Sequence, residues 1–202
     1  AKLPAILVGL SSMRVRRNKS LSQFSQVHSD SLNAGRLAAE HLLERGFRHF
    51  AYVGVPGYLW SQKRQEGFCQ RIAEAGFGVA IYPLKSNITT PSRNIWEKEH
   101  RRLAHWLTTL PRPLGLMACN DDRGREVLEA CRTAGLRVPE QIAVVGVDND
   151  ELFCELSDPP LSSVALNAEA AGYRAAALLD RMMSGEQVPS QHIVAEALHV
   201  VT

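Results

Sequence analysis

Several things are scarce in this 202-residue sequence, and each scarcity removes a class of function. Lysine and arginine number 23 against 21 aspartate and glutamate, a net charge of +2. So even a balance gives no broad positive field to hold nucleic acid, and any DNA contact must come from another segment. No apolar run approaches the ~18 residues of a membrane span, and no signal-peptide block opens the chain. The four cysteines, Cys69, Cys119, Cys131 and Cys154, form no C-x-x-C pair. They are expected as unpaired thiols in a reducing cytoplasm. The seven histidines show no metal-ligand spacing, and G-x-S-x-G, H-E-x-x-H, G-x-G-x-x-G and the phosphate-binding P-loop are missing. The expectation is a protein without catalytic residues, metal or cofactor.

What the sequence does contain is ordinary globular composition, 45% hydrophobic and 22% charged, with short apolar runs alternating with segments of helical period. That alternation predicts an α/β fold with parallel sheets flanked by helices. Strands are expected at Ala5 to Gly9, Phe50 to Gly54, Gly78 to Pro83, Leu114 to Cys119, Ile142 to Val147 and Leu161 to Ala165. Helices are expected from Asp30 or Ser31 to Gly46, from Ser61 to Gly76, around Trp96 to Leu110, around Val127 to Cys131 before Gly135, and around Ala171 to Met182 before Gly185. Trp96 and Trp106 fall on an apolar helical period and are read as core. The run through Ser157-Asp158-Pro159-Pro160 lacks a full helical crossover and reads as a passage between lobes. Val55 to Trp60 reads as a second one.

In open parallel sheets, ligands lie beyond the carboxyl ends of the strands. Asn120 and Asp121 follow one expected strand and Asp148 another. Both carboxylates have a plainer alternative: Asp121 suits the first turn of a helix, and Asp148-Asn149-Asp150 suits a turn. If the two strand ends converge, these groups can hydrogen-bond a polyhydroxylated ligand. Trp60, beside Arg64, offers an aromatic face for a sugar ring, with a core tryptophan as its alternative.

Seven motifs then occur in order: Ser29-Asp30, His41-Leu42-Leu43-Glu44-Arg45-Gly46-Phe47-Arg48-His49, Ser61-x-x-Arg64-x-x-Gly67-Phe68, Asn120-Asp121, Val138-Pro139-Glu140, Val145-Gly146-Val147-Asp148, and Pro159-Pro160-Leu161-Ser162-Ser163-Val164. Together they resemble the effector-binding domain of the lactose/galactose repressor family across nearly the whole chain. Leu103-x-x-Trp106-Leu107-x-Thr109-Leu110-Pro111, Asp121-x-Arg123-x-Arg125, Asp148-Asn149-x-Glu151-Leu152 and Gly172-Tyr173-x-Ala175-Ala176 are similar to the xylose operon regulators. Asp122-Arg123-Gly124-Arg125 is more charged than the helix start usual in the repressors, which favours the xylose type.

The resemblance implies a two-lobed, type I periplasmic-binding-protein-like fold whose first lobe is incomplete, its opening βα units preceding Ala1. It implies a first lobe of residues 1–56 with 160–187 and a second of 57–159 with 188–202. Its sugar-contacting positions fall on Asp30, Arg64, Asp121 and Asp148, to which the chemistry of the residues adds Asn120 and Trp60. The implied function is sensing of a sugar effector, D-xylose, by a homodimeric transcription regulator whose DNA-binding domain lies outside this chain. The alternative with the same fold is a periplasmic sugar-binding protein of a transport system.

Overall fold

The computed structural model describes residues 3–9, 21, 23–84 and 93–202. Two separate sheets organise them. The smaller is parallel throughout, in the order β1 (Ile6–Val8), β2 (Ser25–Ser29), β8 (His192–Ala195). The larger has six strands in the order β4 (Val79–Ile81), β3 (His49–Val53), β5 (Leu114–Ala118), β6 (Ile142–Asp148), β7 (Ser162–Leu166), β9 (Ala197–Val201). All its neighbours run parallel except β9, which is antiparallel to β7.

The large sheet is covered on both faces, which is why its central strands read as unbroken apolar runs. All five residues of β5 are buried. Leu114, Leu116 and Ala118 meet Leu103 and Leu107 of α3 (Arg93–Thr109) and Val127 and Cys131 of α4 (Asp121–Thr133). On the opposite face, Met117 packs in a cluster with Ala38 and Leu42 of α1 (Ser31–Glu44) and Phe68 and Ile72 of α2 (Leu59–Glu74). Fully burying a side chain such as Leu42 contributes about 2 kcal/mol. A third core joins α6 (Ala168–Met183) to the small sheet through Ala171, Leu178, Ile193 and Ala195.

Helix α1 starts where Asp30 accepts the Asn33 N–H, an N-cap worth about 1 kcal/mol. Gly46 and Gly135, read as helix stops, hold φ of 82° and 66°, the left-handed region only glycine enters freely.

The passages between sheets differ from those expected. β3 and β7 belong to the large sheet and β8 to the small one. Residues 49–53 and 162–166 therefore do not lie with the first lobe, nor residues 192–195 with the second. The chain changes sheets at Asp30, Asn167 and Glu196, where the Asp30 N–H donates to the Ala195 carbonyl and the Asn167 N–H to that of Glu196. Between β6 and β7 stands only the five-residue α5 (Glu151–Glu155). Residues 149–161 nevertheless supply the dozen or so residues a parallel crossover needs, so β6 and β7 pair directly. Val55 to Trp60 likewise only connects β3 to α2.

Trp96 also departs from expectation. It lies in the first turns of α3, 53% exposed and stacked on His100, whereas Leu103 and Leu107 further along meet the sheet. Trp106 packs against the core as expected.

Candidate functional site

The carboxyl ends of β2, β5 and β6 open onto one crevice of about 380 Å³, walled on one side by the small sheet and α6 and on the other by the large sheet and α2. That size falls in the range of small-molecule sites, about 300–1,000 Å³. Trp60, Arg64, Asn120 and Asp148, four of the six expected positions, line it together.

Arg64 reaches the crevice because α1 and α2 cross at backbone contact. A Cβ on Gly35 would stand 2.1 Å from the Arg64 carbonyl oxygen, and one on Gly67 would stand 1.9 Å from that of Leu32. Only glycine at both positions permits the crossing. The Arg64 side chain is buried, 3% exposed. Its Nη1 donates to the Cys119 carbonyl at 2.6 Å and its Nη2 to Asp148 Oδ1 at 2.8 Å. The guanidinium sits 5.1 Å from the centre of the Trp60 ring. Its Nε is buried without a hydrogen-bond partner in the protein.

Asp148 ends β6 in a conformation that costs energy: φ is 112° there and 53° at Asn149, at about 1–3 kcal/mol each. Nearly half of the Asp148 side chain stays accessible, 46%. Burial at the foot of the crevice raises its carboxyl above the usual range, while the Arg64 charge pulls it back. Asn120 caps α4, its Oδ1 accepting the Arg123 N–H at 3.2 Å. That leaves its amide NH2 group as a donor for the cavity. An arginine donor, a carboxylate acceptor, an amide and an indole face form a set suited to a polyol ring.

The other two expected positions sit elsewhere. Asp30 is the N-cap of α1 and is not among the residues lining the cavity. Asp121 stands behind the wall, 2% exposed. It accepts the Ser163 hydroxyl on Oδ1 at 2.6 Å and the Asp150 N–H on Oδ2 at 2.8 Å. Burial, opposed by these two donors, raises its pKa to about 6. Of its two sequence readings, the first-turn acid is the nearer.

His28 was not expected. It lines the small-sheet wall, its Nε2 3.0 Å from Nδ1 of His192 on the neighbouring strand. Burial first, and then the His192 charge, lowers its pKa. An isolated histidine in a polar stretch carries no signal in one sequence. Among the described residues, no cluster of three or more histidine, cysteine, aspartate or glutamate side chains could hold a metal.

Two α/β units facing each other across a largely apolar crevice, with a few polar groups converging at their strand ends, define a hinged ligand-binding class. Residues 39–202 match the family of periplasmic binding protein-like domains, and the chain belongs to it. It is 38% identical over 164 residues to the xylose operon regulatory protein of Escherichia coli K12, covering 80% of this chain and 41% of that protein. It is 32% identical to the xylose operon regulatory protein of Haemophilus influenzae, covering 92% of this chain and 47% of that one. A solved structure of a xylose-binding transcription activator superposes with a TM-score of 0.81 at 32% identity, covering all of this chain and 52% of its own. The chain thus spans about half the length of the relatives it matches. No helix among the described residues is long and apolar enough to cross a membrane.

Proposed function

We propose that this chain is the effector-sensing region of a DNA-binding transcription regulator, and that its effector is D-xylose. The observation that carries the reading is the ion pair of buried Arg64 with half-accessible Asp148, lining a crevice of about 380 Å³. It is supported by the family and by relatives named as xylose regulators. Trp60, Arg64, Asn120 and Asp148 contact the sugar from the large-sheet side, with His28 facing them. The ring stacks on Trp60, while hydroxyls bridge the Arg64 donors and the Asp148 acceptor. Binding proceeds without turnover.

A ligand touching both walls binds the closed arrangement better than the open one, and it shifts that equilibrium by its difference in affinity for the two. The three crossings at Asp30, Asn167 and Glu196 are where such a motion is absorbed. DNA contact belongs to other parts of the full-length protein, which acts as a homodimer in the cytoplasm. Four unpaired cysteines suit that compartment.

Calorimetric titration of the full-length protein with D-xylose, L-arabinose, D-ribose and D-glucose tests this. Saturable heat with D-xylose at one sugar per chain is expected. Heat with another sugar alone overturns the ligand, and heat with none overturns sugar sensing.

A further inference from the structure

Asp121 is buried behind the crevice wall, and what it holds is the segment that ends in Asp148. Its Oδ2 accepts the Asp150 N–H at 2.8 Å. Its Oδ1 accepts the Ser163 hydroxyl at 2.6 Å, and Ser163 Oγ in turn accepts the Asn149 N–H at 3.0 Å. Two successive amides of the strained strand end are thus tied to one carboxylate, one directly and one through a hydroxyl. These are the amides that follow Asp148, whose φ of 112° aims its carboxylate at Arg64. The approach of Asp121 depends on Gly146, where a Cβ would stand 2.2 Å from Oδ1.

We infer that Asp121, Ser163 and Gly146 form a positioning device: the carboxylate and its hydroxyl relay clamp the Asp148–Asn149 backbone in its left-handed conformation, and so fix the ligand-accepting oxygen of Asp148 in the crevice. Asp121 is a positioning residue that touches no ligand. An ionised carboxylate buried at 2% exposure is a poor choice for fold stability alone. Burial holds its proton more tightly than in the unfolded chain, so its charged form costs stability at neutral pH. What the charge supplies is two acceptor oxygens aimed at one turn.

The inference rests on Asp148 contacting a sugar, so its test has one arm that needs a ligand and one that does not. In the first, Asp121→Ala, Ser163→Ala and Gly146→Ala are expected to weaken D-xylose binding at least tenfold in protein that keeps its native circular dichroism. Asp121→Asn recovers most of the affinity, because its amide oxygen serves Asp150 and its NH2 group serves Ser163. In the second, hydrogen–deuterium exchange of the sugar-free protein is followed by mass spectrometry. Peptides spanning 148–154 exchange at least tenfold faster in Ser163→Ala and Asp121→Ala than in the native protein or Asp121→Asn, while α1 and β5 peptides are unchanged.

Native D-xylose affinity in folded Ser163→Ala overturns the positioning role. If the native protein binds no D-xylose, the ligand reading fails by itself and the exchange arm decides: unchanged exchange at 148–154 overturns the clamp, faster exchange sustains it. If Asp121→Ala does not fold, Ser163→Ala against Asp121→Asn decides in the same way.

Discussion

Two glycine-to-alanine substitutions within helices should act in opposite directions. Alanine inside a helix is favoured over glycine by about 0.8–1 kcal/mol, so propensity alone makes both Gly67→Ala and Gly172→Ala stabilising. At Gly172, in the exposed face of α6, no atom lies within 4 Å of the added Cβ, and that gain is kept. At Gly67 the Cβ would stand 1.9 Å from the Leu32 carbonyl oxygen, about 1.5 Å short of ordinary contact, and the obstacle is backbone that cannot rotate away. One methyl forced into a packed interface costs about 1–3 kcal/mol, with the upper end expected here. The net loss is therefore about 2 kcal/mol. For a domain of this size that lowers Tm by roughly 4–8 °C, whereas Gly172→Ala raises it by a few degrees. Urea denaturation followed by circular dichroism gives ΔΔG, and thermal melting the shift. Because α1 also abuts the Arg64 carbonyl, Gly67→Ala should weaken sugar binding too. If Gly67→Ala is as stable as Gly172→Ala, the close crossing of α1 and α2 is wrong, and with it the account of how Arg64 is placed.

Arg64→Lys keeps the charge but cannot serve the Cys119 carbonyl and Asp148 together. D-xylose affinity should fall at least tenfold, about 1.4 kcal/mol, and an unchanged Kd by calorimetry refutes this. Asp121 has its pKa raised to about 6 from 3.8, so its proton contributes stability in full below the unfolded value, and the contribution disappears as pH rises through about 6. The stability of the native protein relative to Asp121→Asn should therefore decline between pH 4 and pH 7 in urea titrations, and a difference that grows with pH contradicts the shift. Trp96→Ala, at a 53% exposed side chain, should change stability by less than about 0.5 kcal/mol. A loss of several kcal/mol would restore Trp96 to the core.

The large sheet was legible because its strands are buried on both faces and their composition says so: Leu114 to Ala118 and Ile142 to Val147 are apolar throughout. Of the small sheet only β1 was, expected at Ala5 to Gly9 and found at Ile6–Val8. The central strand β2 reads Ser-Gln-Val-His-Ser, and it buries Ser25 and Gln26. Ser25 answers part of that burial by accepting the Gln191 N–H, 166 residues away. No local pattern announces a polar strand completed from the far end of the chain. The same distance hid β8, which Glu196 separates from β9 so that two short strands of different sheets read as one tail. Missing β2 and β8 misplaced the lobe boundary, since the chain changes sheets beside them.

The crevice was legible to a different degree. Asn120 and Asp148 meet because strand ends of a parallel sheet converge, and Arg64 reaches them from α2; the motif register located Arg64 and Asp148, and side-chain chemistry added Asn120. Asp121 and Asp148 look alike in sequence, each an acid just past an apolar run, and what separates them is direction. Asp121 occupies the first turn of α4, beneath Gly146 and Ser163, and turns into the protein. Asp148 stays in the strand with a positive φ and turns toward Arg64. The residue that would give this away is Gly146: with no Cβ it opens the space a neighbouring carboxylate fills, so the glycine two positions before Asp148 speaks for Asp121. An acid at a strand end is thus better assigned by asking which glycine makes room for it than by its own surroundings in the sequence.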